Sequence, residues 1–285
     1  MTAAPRVWPV FLAYGLVLGA LLTGPGLVLL FMAAVQHGPA ILQAPDRLPR
    51  TIETLAYTFP GLTAIIAVNA LLVSGAALAP AALSPTPLRA RLGLGASALP
   101  WGAAVGAVIG TLALSQALDA LVVLVGLERV GFLARFRDLL QGLPAARVAV
   151  LGIVLSLLPG VAEEVFFRGY AQTRLVARWG AARGIVATAL LFGFLHLDPV
   201  QSPLAAVLGA YLGYVAFAAR SVWPAIACHV ANNAVAVLTA ALVGAPASRA
   251  LNLGLFLGGL ALAGLALLGV RRWAGRPAPA PSPVP

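Results

Sequence analysis

Apolar stretches long enough to cross a lipid bilayer recur along nearly the whole chain, and they constrain the fold more than any other feature. Hydrophobic residues occupy 61% of the 285 positions and charged residues only 9%, whereas charges make up about a quarter of a soluble domain. About 20 helical residues span the roughly 30 Å hydrocarbon core of a bilayer. The stretches do not alternate polar and apolar residues as β-barrel strands do. The sequence therefore predicts an all-α, polytopic membrane bundle.

The apolar windows between charged or Pro/Gly-rich breaks predict about eight transmembrane helices in one membrane domain, residues 1–272. The first window is too long for the apolar part of a cleaved signal peptide, so it is assigned to the first helix. The fifth and sixth windows are short for spanning helices. Gly209 and Gly213, in GAYLG, form a small-xxx-small pattern that predicts close helix packing. The predicted spans cover about residues 8–35, 55–83, 99–126, 147–172, 183–197, 203–219, 223–243 and 251–270.

Two segments outside these spans have distinct patterns. Between the third and fourth spans, Arg129, Arg135 and Arg137 alternate with Phe and Leu at helical spacing. This pattern predicts an amphipathic helix on the membrane surface. The Pro/Ala-rich segment 273–285 is predicted to be a disordered tail.

All 18 basic residues are arginines, and they give the chain a formal charge of +10. They lie at the ends of apolar segments without aromatic clusters, which indicates anchors at phospholipid headgroups and no nucleic-acid partner. With eight spans both termini share a side, and that side carries more arginines, so the positive-inside rule predicts cytoplasmic termini. The absence of lysine indicates a GC-rich bacterium and therefore its inner membrane. The single cysteine, Cys228, is interpreted as a small buried residue.

Three acids interrupt the apolar windows, namely Asp119, Glu163 and Glu164. A charge at bilayer depth costs at least about 2.5 kcal/mol, so each acid needs a partner or a function. Glu164 precedes Arg168 by four residues, the favourable order for an ion pair on one helical face. Glu163 is rotated by about 100° from Glu164 on an ideal helix, so it is predicted to stay outside that pair and to suit a general base. Asp119 is interpreted as an interhelical contact or a cavity-lining residue.

Two more pairs of residues follow the same four-residue step. Phe192 and His196 share a face of the fifth window, and His229 and Asn233 share a face of the seventh. An imidazole beside a carboxamide forms a donor pair suited to the oxyanion of a carbonyl under attack. A free carboxylate, a second histidine and this donor pair are sufficient parts for hydrolysing an amide with activated water. The adjacent Asn232 is predicted to make a hydrogen bond between helices.

The EExxxR, FxxxH and HxxxN runs, in this order and approximate spacing, resemble the motifs of the CAAX protease and bacteriocin-processing (CPBP, or ABI) family. The segment SVWPAIACHVANN resembles a further motif region of the family, and the resemblance covers about residues 155–240. The family includes the Ras-converting type II CAAX prenyl endopeptidases. The resemblance therefore implies an intramembrane endopeptidase whose helical bundle encloses a polar catalytic cavity.

The resemblance also implies a role for each matched residue. Glu163 with His196 is expected to activate the water, and His229 with Asn233 to form the oxyanion hole. Supporting roles fall to Glu164 and Arg168, which would orient Glu163, and to Phe192, which would shape the pocket beside His196.

A zinc site is the alternative to a metal-free mechanism. Glu163, His196 and His229 could supply three ligands and leave a position open for water. The chain contains no HExxH motif, in which two ligands share a helix with the base, and Asn233 suits an oxyanion better than a metal. The resemblance implies the metal-free mechanism, so we expect no cofactor.

The predicted partners are the lipid bilayer and a peptide or protein substrate at the membrane, either an anchored tail or a leader peptide. Two other classes of protein stay open. A proton- or cation-coupled transporter would have further acidic residues along a transport path and would consist of two related halves. The sequence has one acidic cluster and no repeat. A non-catalytic immunity or scaffold protein would bind a peptide without cutting it.

Overall fold

Helices make up most of the computed structural model, which describes residues 5–242 and 248–274. Seven helices in this described part are long and apolar enough to cross a membrane, and Ala181–Phe194 is a shorter apolar helix. The predicted all-α membrane bundle is therefore confirmed. The helices are α1 (Trp8–His37), α2 (Leu48–Ala56), α3 (Phe59–Ala82), α4 (Leu88–Arg91), α5 (Trp101–Leu124), α6 (Gly131–Gln141), α7 (Ala145–Glu164), α8 (Thr173–Trp179), α9 (Ala181–Phe194), α10 (Gln201–Ala219), α11 (Trp223–Leu242) and α12 (Arg249–Ala274).

Each predicted span coincides with a helix to within a few residues, with one difference in the fourth span. The expected surface helix is α6, whose Phe136 packs into the bundle while Arg135 faces outward and pairs with Glu53 of α2. Sequence reasoning missed α2, which is too short and polar to register as an apolar window. The predicted tail 273–285 begins too early, because α12 continues to Ala274, and residues 275–285 lie outside the described residues.

The fourth predicted span is a single 35-residue helical segment, Ala145–Trp179, but its middle is not α-helical. After α7, residues Val165–Gln172 form a π-helix, and α8 then completes the segment. A π-turn is wider than an α-turn and is frequent at functional sites. Two π-helix side chains bind backbone carbonyls of α10: Arg168 donates to Gly209 (2.9 Å) and Gln172 donates to Gly213 (2.8 Å). The small residues predicted to allow close packing therefore lie at this contact.

Two antiparallel contacts determine where the polar residues meet. Helix α11 packs along α7, with Val230 against Gly160 and Val237 against Gly152. After the turn at Gly180, α9 runs back along α8 and the π-helix, and its last turns reach the level of Arg168. As a result the end of α7, the end of α9 and the first turns of α11 lie together inside the bundle.

The π-helix also contacts the segment that follows α3. A Cβ atom on Gly169 would lie 2.5 Å from the backbone oxygen of Leu92, so only glycine permits this approach. We expect Gly169→Ala to lower the free energy of unfolding by about 1–3 kcal/mol, because overpacking forces the two backbones apart. Gly254→Ala in α12 is the matched control, since a Cβ there meets open space. Thermal unfolding in detergent measures both, and equal stability of the two variants would contradict this prediction.

Candidate active site

The ion pair predicted from the four-residue spacing is present and fully buried. Arg168 Nη1 lies 2.7 Å from Glu164 Oε1, and both side chains have no solvent-exposed area. The same guanidinium binds the carbonyl of Gly209 and stacks over the ring of Phe192, with Cζ 4.5 Å from the ring centroid. The pair therefore ties the π-helix to both α9 and α10.

Glu164 has a second partner that spacing along one helix could not predict. Its Oε1 lies 2.8 Å from Nδ1 of His229 on α11. A carboxylate paired with a guanidinium is an acceptor only, so the imidazole donates from Nδ1 and its Nε2 is the nitrogen left for other partners. Glu164 was expected to orient Glu163, whereas the observed contact orients His229.

Glu163 stands beside the same imidazole. Its Oε2 lies 3.9 Å from Nε2 of His229, and its side chain keeps 19% of its area exposed. This distance is too long for a direct hydrogen bond. The two adjacent glutamates thus approach the two ring nitrogens of one histidine, with Glu164 buried and Glu163 accessible.

Phe192 connects the two histidines. Its ring meets His196 edge-on at 5.1 Å and His229 edge-on at 5.9 Å, measured between centroids. His196 lies just after the end of α9, and its Nδ1 is 3.0 Å from the carbonyl of Phe192. Because a carbonyl only accepts, Nδ1 carries the proton and Nε2 has a free lone pair. Phe192 was expected to shape the pocket beside His196, and it contacts both imidazoles.

The two asparagines of α11 have contacts that differ from the prediction for Asn232. The side-chain amide of Asn233 donates a hydrogen bond to the carbonyl of Leu155 in the neighbouring helix α7 (3.1 Å). Asn232 is buried and donates to the side-chain oxygen of Asn233 at 3.4 Å. The interhelical hydrogen bond therefore belongs to the residue one turn beyond His229. One N–H of the Asn233 amide is used in this bond, and a second is available.

The three residues considered as zinc ligands are not grouped together in the structure. Across the described residues, no three His, Cys, Asp or Glu side chains are close enough to hold a metal ion. Glu163, His196 and His229 therefore do not form a set of three ligands among these residues.

The remaining polar residues of the apolar windows lie elsewhere. Asp119 of α5 keeps exposed area and has an electrostatic partner on another helix, Arg137 of α6. Cys228 is buried, as predicted. Sequence reasoning overlooked Gln172 and Asp198, which hold backbone groups of α10 and α6. The capping role of Asp198 could have been predicted, since an aspartate shortly before a helix is a favoured N-cap residue.

These contacts define a class of protein: a helical membrane bundle with a buried carboxylate and histidine centre. The family model of the type II CAAX prenyl endopeptidase, Rce1-like, matches residues 145–235, about a third of the chain. The matched segment, which begins with α7 and ends within α11, is similar to this family, and the match confirms the predicted resemblance. No curated protein and no solved structure matches the chain.

Proposed function

We propose that the protein is an intramembrane endopeptidase that hydrolyses a peptide bond with water activated by Glu163. The observation that carries this proposal is the meeting of two adjacent carboxylates with one imidazole. Glu164 holds Nδ1 of His229 at 2.8 Å, and Glu163 stands 3.9 Å from Nε2. This arrangement separates a buried orienting acid from an accessible reacting acid.

Glu163 acts as the general base. The buried guanidinium of Arg168 pairs with Glu164, so the carboxylate of Glu163 is available to a water molecule. The water oxygen attacks the carbonyl carbon while its proton passes to Glu163. His196 assists from the facing helix, because its Nε2 lone pair can accept a hydrogen bond from the same water.

The tetrahedral intermediate then carries a negative charge on the former carbonyl oxygen. Nε2 of His229, which donates when both nitrogens of the ring are protonated, and the second N–H of Asn233, one turn further along α11, stabilise this oxygen. Holding Nδ1 to Glu164 fixes the ring before the reaction, so little reorganisation is needed. When the intermediate collapses, the C–N bond breaks and the leaving amine takes the proton from Glu163, with His196 in the same relay.

The substrate that fits this site is a peptide segment delivered from the membrane. The reacting groups lie inside a bundle whose long helices are apolar on their outer faces, so a chain must enter from one side in an extended form. A membrane-anchored tail, prenylated or held by another lipid or helix, has this property, and so does an exported leader peptide. We place the protein in a bacterial inner membrane with both termini in the cytoplasm, following the arginine distribution.

The test is cleavage of a peptide panel by the purified full-length protein in detergent, with and without a chelator. The panel pairs each lipidated tail peptide with its unlipidated form and includes leader peptides. We expect chelator-insensitive cleavage of at least one member, because in the proposed mechanism Glu163 activates the water without a metal. Activity lost with the chelator and restored by zinc would overturn the metal-free mechanism. Binding of a peptide without cleavage would favour a scaffold or immunity protein instead.

A further inference from the structure

Asp198 lies on the loop 195–200 between α9 and α10, two residues after His196. Its carboxylate accepts three backbone hydrogen bonds from the starts of two helices. Oδ1 accepts from Val200 (2.9 Å) and Gln201 (2.7 Å) at the start of α10, and Oδ2 accepts from Phe132 (2.8 Å) at the start of α6. One side chain therefore caps α10 and anchors the surface helix α6 to the loop that carries His196.

The backbone on both sides of this contact is constrained. Gly131 has φ +81°, and a Cβ atom on it would lie 2.6 Å from Oδ2 of Asp198, so the approach requires glycine for both conformation and space. Leu197, between His196 and Asp198, has φ +52°. A non-glycine residue in the left-handed region costs about 1–3 kcal/mol and persists only where its surroundings hold it. The hydrogen bonds of Asp198 keep Leu197 in this conformation.

The carboxylate works in its charged form. Burial opposes ionisation of Asp198, but the backbone N–H donors of Gln201, Phe132 and Val200, together with the nearby His196, outweigh it and lower the pKa of the carboxyl below its ordinary value. Bonds to a charged acceptor are roughly twice as strong as neutral ones, and a helix N-terminus favours an anion. Because the folded-state pKa is lowered, this stabilisation is complete above the ordinary pKa near 3.8 and is lost only as the pH falls through the lowered value.

We propose that Asp198 is a positioning residue for His196, and this inference rests on the proposed role of His196 in water activation. The ring of His196 is set locally by the Phe192 carbonyl through Nδ1. The loop that continues from it has no regular secondary structure, so its direction depends on Asp198. Asp198 thus acts through His196 and touches no reacting atom.

The direct test is Asp198→Asn. An amide has one acceptor oxygen in place of two, so either Phe132 or the α10 start loses its acceptor, and the charge is lost as well. We expect kcat to fall about tenfold and KM to change by less than twofold, since a mispositioned His196 affects the reaction and not the binding of the peptide. Asp138→Asn on the exposed face of α6 is the matched control and is expected to retain wild-type kcat.

A double-mutant cycle separates positioning from a general structural effect. If Asp198 acts through His196, Asp198→Asn has no further effect on kcat in a His196→Ala background, to within twofold. The same tenfold loss in both backgrounds would overturn the inference. Should Asp198→Asn unfold, Asp198→Ser replaces it, because serine still caps α10 but is too short to hold Phe132.

Failure of this inference and failure of the proposed function have different signatures. Wild-type cleavage that depends on Glu163, together with an unchanged kcat for Asp198→Asn, refutes the positioning role alone. No cleavage of any peptide by the wild-type protein refutes the proposed function and the positioning role with it. Amide hydrogen exchange at the start of α6 measures the anchor separately, and we expect faster exchange at Phe132 in Asp198→Asn than in Asp138→Asn.

Discussion

Glu163→Gln is expected to lower kcat by about 10³-fold or more while the protein keeps its fold. Glutamine has nearly the same shape, but it cannot take a proton from water, and general-base catalysis contributes typically 10²–10⁴-fold. The substitution also leaves the Glu164 contacts with Arg168 and His229 in place. The measurement is single-turnover cleavage of the best peptide of the panel, with thermal unfolding in the same detergent.

Glu53→Gln is the matched control for this prediction. Glu53 on α2 pairs with Arg135 of α6 at 3.2 Å, and both side chains are mostly exposed, 65% and 60%. A solvent-exposed ion pair contributes little to stability, so the control is expected to cleave at the wild-type rate. Equal cleavage by wild-type protein and Glu163→Gln would remove Glu163 from the chemistry and leave the proposed mechanism without a base.

The sequence was sufficient to predict the long apolar helices, because the apolar windows set their approximate length, but it did not predict the short polar helix α2. It was also sufficient for the pairs that share one helical face. The Glu164–Arg168 ion pair formed as expected, although the π-helix begins between its two members. The pairs His196–Phe192 and His229–Asn233 likewise remain one turn apart. In each case the separation along the chain fixes the separation in space.

Contacts between helices could not be predicted from spacing, since they depend on the rotation and vertical offset of each helix. Two such contacts changed the interpretation of the site. Glu164 reaches across to His229, and Asn233 reaches across to the carbonyl of Leu155. Neither can be read from one helix alone, because any of several polar residues could have faced the neighbouring helix. The anchor between Asp198 and Phe132 joins residues 66 positions apart and escapes pattern analysis for the same reason.

The corrected contacts give the two glutamates of EExxxR different tasks. Glu164 is fully buried, and its Oε1 meets both a guanidinium and an imidazole, while its Oε2 has no hydrogen-bond partner among the described residues. Such a carboxylate holds its neighbours in place and is poorly suited to proton transfer with solvent. Glu163 is accessible and lies near one nitrogen of the same ring. In the proposed mechanism the motif supplies a structural acid and a reacting acid from consecutive positions, and both lie near His229 of α11.

Arg168→Met is therefore expected to be the most destabilising single substitution of the site, by about 3 kcal/mol or more. Methionine fills a similar volume but leaves Glu164 charged and buried without its guanidinium, and breaking one side of a buried pair costs about 3–5 kcal/mol. The bond to Gly209 and the stacking on Phe192 are lost too. The measurement is the free energy of unfolding in detergent.

The double variant Glu164→Gln/Arg168→Met decides whether the loss comes from the unpaired charge. Removing both charges leaves no buried carboxylate, so we expect the double variant to regain at least half of the stability lost in Arg168→Met. Arg135→Met, at the exposed pair, is the control for the same chemical change and is expected to leave the free energy of unfolding nearly unchanged. If the double variant is as unstable as Arg168→Met, the stability comes from the packing of the guanidinium on α9 and α10, and the ion pair with Glu164 is secondary.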